Sequence, residues 1–466
     1  MSNERQESKL IRNLGYWDLM GLAVGQIIGA GIMSSTGVAI GMTGTGVVLA
    51  FILSPILTIL SIYPVAILGA TVPTTGGPYR YVSRLLGKGP GMIYLLLHIT
   101  TNVMIATYAL SFASYLVSIT TGLNQYVIAI VTLTFFFVTN LIGTKSAAVL
   151  NTVISFTLIG GLLIFIGFGI FKVDYSYIFN TSNLFKNGMF PFVSTLALLS
   201  SATAGAQVIA ELGGETKDAG HTIPKVMVSS TFGVGIFYVL IALVATGILP
   251  MDQVANQPLT LVAREIMPTA AFYIFVIGAA LGATSSTLNA TLSWVTKPLL
   301  VACDDGMLPK SLGSVSKQGV PYKLLTFFYI VGMIPLVLRM NLSFIMKFTT
   351  ANSLLSKLFV CIALFALASK HSKILEKSTM KITEKKAKAF ALAGAIILCV
   401  LSFSLLLNLS YKVILFLATL VVITIIYTKV FAKNVVIEND LNVDYTTKQD
   451  IVIENNLNVE YTTKQP

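Results

Sequence analysis

The chain has 466 residues, of which 55% are hydrophobic and only 11% charged, whereas soluble domains carry about a quarter charged residues. That composition excludes an ordinary soluble domain and predicts an all-α integral membrane protein. The formal net charge of +12 suggests nucleic-acid binding at first sight, but the distribution of basic residues explains it otherwise.

Residues 1–13 are mostly polar and contain no apolar stretch followed by a small-residue cleavage site, so no removed leader is expected. Residues 19–79 and 89–144 contain no Asp, Glu, Lys or Arg, and each run is long enough for two membrane helices of about 20 residues. Further apolar stretches cover 146–171, 187–210, 226–251, 266–296, 324–338, 343–369, 389–411 and 413–428. With two helices in each long run, twelve transmembrane helices are predicted. The organisation expected is a cytoplasmic N-terminus (1–13), a twelve-helix domain (14–431) and a cytoplasmic tail (432–466). The tail repeats itself, NVVIENDLNVDYTTKQ at 434–449 and DIVIENNLNVEYTTKQ at 450–465. Two polar units cannot build a solenoid core, which takes about three stacked repeats.

Placing both termini in the cytoplasm of a cell-membrane protein puts 24 of the 31 basic residues inside. Five fall outside (Lys172, Lys186, Arg264, Arg339 and Lys412), and Lys347 and Lys357 lie within the tenth helix. This positive-inside bias accounts for most of the net charge and argues against nucleic acid as a partner. The seven lysines of 370–388 fit the same account or contact with anionic lipid head groups. Cys303, Cys361 and Cys399 are odd in number and at least two fall in spans, against a disulfide framework. No metal-ligand spacing, phosphate loop or nucleophile elbow is present in the sequence, so neither a cofactor nor an enzymatic activity is expected.

The first helix carries GQIIGAGIM (25–33) and the sixth LLSSATAGAQV (198–208). Each glycine inside a helix is unfavourable by about 1 kcal/mol relative to alanine. Glycine-interrupted segments at matching places in two halves of a membrane protein point to a transporter site at broken helices. A half-helix beginning at such a break offers free N–H groups and a partial positive charge to a carboxylate, while unwound carbonyls suit an ammonium. Small-xxx-small helix packing is the competing explanation. Lys357, near the middle of TTANSLLSKLFVCIALF (349–365), is about 18 Å from the nearer helix end, beyond snorkelling reach. No Asp or Glu lies in the central spans to pair with it, leaving a substrate carboxylate, a backbone carbonyl or a titrating proton.

These segments resemble the amino acid–polyamine–organocation permease superfamily, and the bacterial amino acid and polyamine antiporter branch in particular. GQIIGAGI is similar to its first-helix signature, PTTGGPYRYVSRLLG (73–87) to its loop after the second helix, and NLIGTKSAAVLN (140–151) to the entry of the fifth. GGETKDAGHTIPKVM (213–227) and ACDDGMLPKSLGSVSKQGVPY (302–322) resemble the loops after the sixth and eighth. The resemblance implies a five-plus-five inverted-repeat fold with two additional helices and a secondary amino acid transporter, an antiporter or a proton- or sodium-coupled symporter, as monomer or homodimer. A non-transporting amino acid receptor is the rival outside that class. It also implies that the backbone of Ile28, Gly29, Ala30, Gly31 and Ile32 holds the substrate carboxylate and that Ser201, Ala202, Ala204 and Gly205 hold the amine. Asn102 takes the place of a pocket asparagine, with Tyr94 and His98 on its helical face. Lys357 joins this set of expected substrate contacts. Ser201 replaces the tryptophan that stacks on cationic substrates, which leaves room for a bulky neutral side chain or a gate from another helix. The stretch Ser155, Phe156, Thr157 and Leu158 lacks the lysine that some sodium-independent relatives carry. Thr284, Ser286 and Thr287 are candidates for a sodium site, unless their hydroxyls bond back to their own helix.

Overall fold

A computed structural model describes residues 14–72, 77–120, 122–142, 146–317, 319–377, 380–433 and 435. The N-terminal segment 1–13, residues 73–76 and 143–145 of two quoted motifs, and nearly all of the tandem repeat lie outside the described residues. So do the side chains of Ser155 and Phe156. Among the described residues the fold is helical throughout, apart from loops and one isolated parallel bridge between Leu14 and Thr216.

The helices include α1 (Tyr16–Ile27), α2 (Ala30–Thr43), α3 (Val47–Thr71), α4 (Lys88–Thr101), α5 (Met104–Val117), α6 (Gln125–Ile142), α7 (Ser146–Gly169) and α8 (Met189–Ala202). After a 3₁₀ segment (Ala204–Glu215) come α9 (Ala219–Gly247), α10 (Gly282–Trp294), α11 (Lys297–Asp304), α12 (Tyr322–Val337), α13 (Leu342–Lys370), α14 (Glu384–Leu406) and α15 (Tyr411–Val430). In hydrocarbon every backbone polar group must be satisfied within the protein, which is why apolar sequence of this kind becomes helix. Among the described residues nine helical runs are long and apolar enough to cross a membrane, and two shorter apolar helices, Thr157–Lys172 and Tyr322–Val337, accompany them. One of the nine, Gly31–Thr71, has 41 residues. As a straight helix it would be about 60 Å long, twice a bilayer core. A 3₁₀ turn at Gly44–Gly46 divides it, and Gly44 adopts the left-handed φ of 76° that favours glycine.

Lipid tails are as apolar as leucine, so close packing rather than water exclusion holds such helices together. α3 is central, touching α8, α9, α13 and α14. Its interior Pro55 fits against Gly235 of α9, where a Cβ would lie 2.5 Å from the proline Cγ. Large apolar side chains such as Phe135, Ile236, Leu415 and Phe416 stand exposed on the perimeter, where hydrocarbon would meet them. Inside, the buried apolar residues fall into two clusters. One gathers Ile27, Leu198, Ala204 and Met346; the other gathers Tyr94, Leu288, Phe328 and Val360. One cavity draws its wall from both.

Candidate functional site

The first span is broken where GQIIGAGIM falls. α1 ends at Ile27, Ile28 and Gly29 run extended, and α2 starts at Ala30. By helix geometry the first-turn N–H groups of α2 have no intrahelical partners. The carbonyl left over at Ile27 accepts a hydrogen bond from the Tyr238 hydroxyl of α9 at 2.6 Å. The segment LLSSATAGAQV, expected in the sixth span, changes pitch instead of stopping. α8 closes at Ala202, Thr203 intervenes, and twelve residues of 3₁₀ helix follow, although such runs rarely exceed three or four. Here the Thr58 hydroxyl of α3 donates to the Ser200 carbonyl at 2.9 Å and pairs with the Thr203 hydroxyl at 2.6 Å.

The two breaks lie against each other. A Cβ on Gly205 would strike the backbone of Gln26 and Ile27, and one on Gly31 would press on the Ala202 carbonyl oxygen at 3.3 Å. Gly29 faces α10, where a Cβ would collide with the Thr287 hydroxyl. Glycine is needed at these positions for close approach. The φ of −160° at Gly29 is extended backbone open to any residue.

A cavity of about 250 Å³ opens beside the breaks. Of the residues singled out in the sequence, Gly29, Gly31, Tyr94, His98, Asn102, Ser201, Ala202, Ala204, Gly205, Thr287 and Lys357 line it. Ile28 and Ile32 turn their side chains into the apolar core, 5% and 0% exposed, so any part they take is through their backbone. Ala30 is described only by its backbone, at the first position of α2.

α4 and α5 are one span interrupted at Asn102 and Val103, a third discontinuity at the cavity wall. The Asn102 amide donates to the His98 carbonyl at 2.8 Å. His98 donates from Nε2 to the carbonyl of Val295 at 2.9 Å, in the turn between α10 and α11. It is therefore a built-in tie between two spans, with Trp294 and Phe328 against its ring.

The hydroxyls of α10 divide. Thr284 is fully buried, does not line the cavity, and donates to the carbonyls of Ala280 and Leu281 at 3.0 and 3.1 Å. Thr287 donates to Ala283 at 2.9 Å but stands on the wall beside Gly29, while Ser286 is not on the wall. The three do not converge on the cavity as a set of oxygen ligands. Just before α10, residues Phe275–Leu281 form a π-helical stretch packed on α7, the kind of irregularity that often accompanies functional sites.

Lys357 of α13 is 6% exposed and lines the cavity with Thr350 and Ser353 on the same helical face. Its ammonium makes no hydrogen bond or ion pair among the described residues. No Asp or Glu belongs to the described lining, and its other cation, Lys297, is solvent-exposed at the rim. Sequence reasoning missed Trp294, Lys297, Gln26 and Gln207 as lining residues, and Tyr238 and Thr58 as caps. Trp294 of α10 adds an aromatic ring to the wall that Ser201 also lines.

Comparison with known proteins bears on the same frame. The profile of the amino acid permease family matches residues 14–432. A branched-chain amino acid permease of Bacillus subtilis is 27% identical over 346 residues, covering 69% of this chain and 74% of the relative. A serine/threonine exchanger of the same organism is 28% identical over 258 residues, 54% of this chain and 58% of the relative. A gamma-aminobutyric acid permease, also from that organism, is 23% identical over 405 residues, covering 83% and 85%. A match across nearly the whole apolar domain, on a helical chain with many membrane-length helices, makes this a multi-pass membrane protein that belongs to the amino acid permease family.

Proposed function

We propose that the chain is a secondary active amino acid transporter that exchanges one amino acid for another by alternating access around its broken first and sixth spans. The observation that carries this reading is the meeting of the two breaks at one cavity: Gly29 and Gly31 on one side, Ala202 and Gly205 on the other. An amino acid presents a carboxylate and an ammonium a few ångströms apart. The start of α2 is suited to the first through its free N–H groups and dipole, and the carbonyls ending α1 and α8 are suited to the second. No charged side chain is required for that common part of the substrate. Relatives named as a serine/threonine exchanger and a branched-chain amino acid permease support the substrate class.

The proposal includes twelve crossings in a five-plus-five inverted repeat with two further helices, and both termini in the cytoplasm of a cell-membrane protein. The division of Gly31–Thr71 at Gly44 and the two shorter apolar helices support the count, and the basic-residue bias supports the orientation. Exchange is preferred to sodium coupling because Thr284 and Thr287 bond to their own helix and Thr284 is away from the cavity. The test is counterflow of radiolabelled amino acids by the purified chain in proteoliposomes. Trans-acceleration by unlabelled amino acid, independent of sodium and of a proton gradient, is the expected result. Strict dependence on either gradient would replace exchange by symport, and binding without flux would make the protein a receptor. Gly31→Leu, which forces a side chain against Ala202, should abolish binding while leaving the protein monodisperse in detergent.

A further inference from the structure

We propose that Lys357 sets the specificity of the cavity and selects an amino acid whose side chain ends in a carboxylate; this rests on the reading of the cavity as the substrate site. Lys357 sits near the midpoint of α13, is 94% buried by the complement of its 6% exposure, and lines the cavity. Neither helix end is within reach of its side chain. It has no hydrogen-bond or ion-pair partner among the described residues, and no carboxylate is among the described residues lining the cavity. The remaining ionisable groups facing the cavity do not help. His98 has its Nε2 committed to the Val295 carbonyl, Lys297 has the same sign of charge, and Tyr94 and Tyr108 offer phenols rather than carboxylates. A buried ammonium without a counter-ion is strongly unfavourable, so such residues in membrane proteins face a partner or a wet pathway.

The common part of an amino acid does not provide that counter-ion. Its carboxylate and ammonium are already matched by the two helix breaks, on the reading above. A neutral amino acid therefore leaves Lys357 without a counter-ion unless the lysine gives up its proton, a cationic one adds repulsion from Lys357 and Lys297, and a second anion on the substrate neutralises the site with the ammonium kept. Thr350 and Ser353, which line the cavity on the same face of α13, are available as hydroxyl donors to such an anion. The substrate class assigned is the dicarboxylic amino acids, bound with the side-chain carboxylate on Lys357.

The experiment is competition of unlabelled amino acids against counterflow by the full chain at a fixed pH of 7. Glutamate and aspartate are compared with glutamine and asparagine, which differ only in the end group, and with leucine and serine. The acids should compete at least ten-fold better than their amides in the unmodified protein. Lys357→Gln should erase that preference, lowering acid competition ten-fold or more while sparing the amides, and Lys357→Arg should preserve it. If the amides or leucine compete as well as the acids, or if Lys357→Gln keeps the preference, the assignment of Lys357 is overturned while the cavity stands. If no amino acid of the panel competes, the cavity reading falls as well. The wild-type comparison decides even where a variant fails to fold.

Discussion

The breaks in the first and sixth spans solve one problem in different ways. In the first, the helix stops, two residues run extended, and a new helix begins. In the sixth, the α-helix passes into twelve residues of 3₁₀ helix and the backbone keeps climbing. An abrupt stop exposes a full set of helix termini and concentrates dipole charge at one place. A change of pitch exposes less and mainly lets the backbone lean in, which Gly205 does against Gln26 and Ile27. On the function proposed, the first break would offer helix N–H groups to the ligand and the other would bring backbone carbonyls up beside it. The sequences forecast this weighting: three glycines lie in GQIIGAGIM and one in LLSSATAGAQV. The two are also tied at their far ends, where the Lys217 N–H donates to the Leu14 carbonyl at 2.9 Å.

The largest effect that would test this contrast is at Gly205. Its added Cβ meets backbone, which cannot rotate away, so Gly205→Ala should remove transport and lower the thermal midpoint in detergent, with overpacking costing about 1–3 kcal/mol. Gly29→Ala should be milder and rescuable. Its obstacle is the Thr287 side chain, so adding Thr287→Ala should restore much of the lost stability. Rescue of Gly205→Ala by a neighbouring side-chain truncation, or none for Gly29→Ala, would reverse the roles assigned to the two breaks.

Next in size are the caps. Tyr238→Phe leaves the buried Ile27 carbonyl without its hydroxyl partner and should cost about 1–3 kcal/mol, the range for an unsatisfied buried group. Thr58→Val should cost less, because the Thr203 hydroxyl also reaches the Ser200 carbonyl at 3.3 Å and stands in for it. Equal losses in thermal melts of the two variants would mean that the abrupt break depends no more on its cap than the gradual one.

What the sequence revealed follows from where each signal resides. The break at Ile28–Gly29 was legible because glycines mark it locally, and the burial of Lys357 because depth in a span follows from counting residues. The interruption at Asn102–Val103 was not legible, since neither residue is a helix breaker and the His98 bond to Val295 that accompanies it joins positions 197 apart. Tyr238 and Thr58 looked like any polar residue in a span. Their role as caps exists only once α9 and α3 are packed beside the breaks. Trp294 and Lys297 flank the brief interruption at Val295–Thr296, whose one local mark in the sequence is Pro298 at the start of α11, and nothing local says that they line the cavity. The hydroxyls of α10 show the converse: a suggestive cluster in sequence in which Thr284 and Thr287 bond back to their own helix and only Thr287 lines the cavity.

The smallest effect expected lies at the other end of α2, far from the break. There the Asn187 amide donates to the carbonyls of Gly41 and Met42 at 3.2 and 2.9 Å, closing the helix. The adjacent Lys186 pairs with Asp252 at 2.7 Å, but their side chains are 45% and 84% exposed, and exposed pairs of this kind contribute little. The hydrogen bond from Lys186 to Asp252 raises the lysine pKa above its ordinary value, with their charge attraction adding to the shift. A raised folded-state value contributes stability that is present below the unfolded pKa and fades as pH climbs through the folded one. The lysine's share is thus lost only in the alkaline range and is constant near neutrality. Asp252→Asn should accordingly leave the thermal midpoint at pH 7 unchanged within error and insensitive to added salt, whereas Asn187→Ala should lower it measurably by freeing two carbonyls. If Asp252→Asn proved as damaging as Tyr238→Phe, α2 would be anchored by an exposed ion pair at its outer end as firmly as by the buried cap at its break, and the break would lose its place as the weak point that capping must protect.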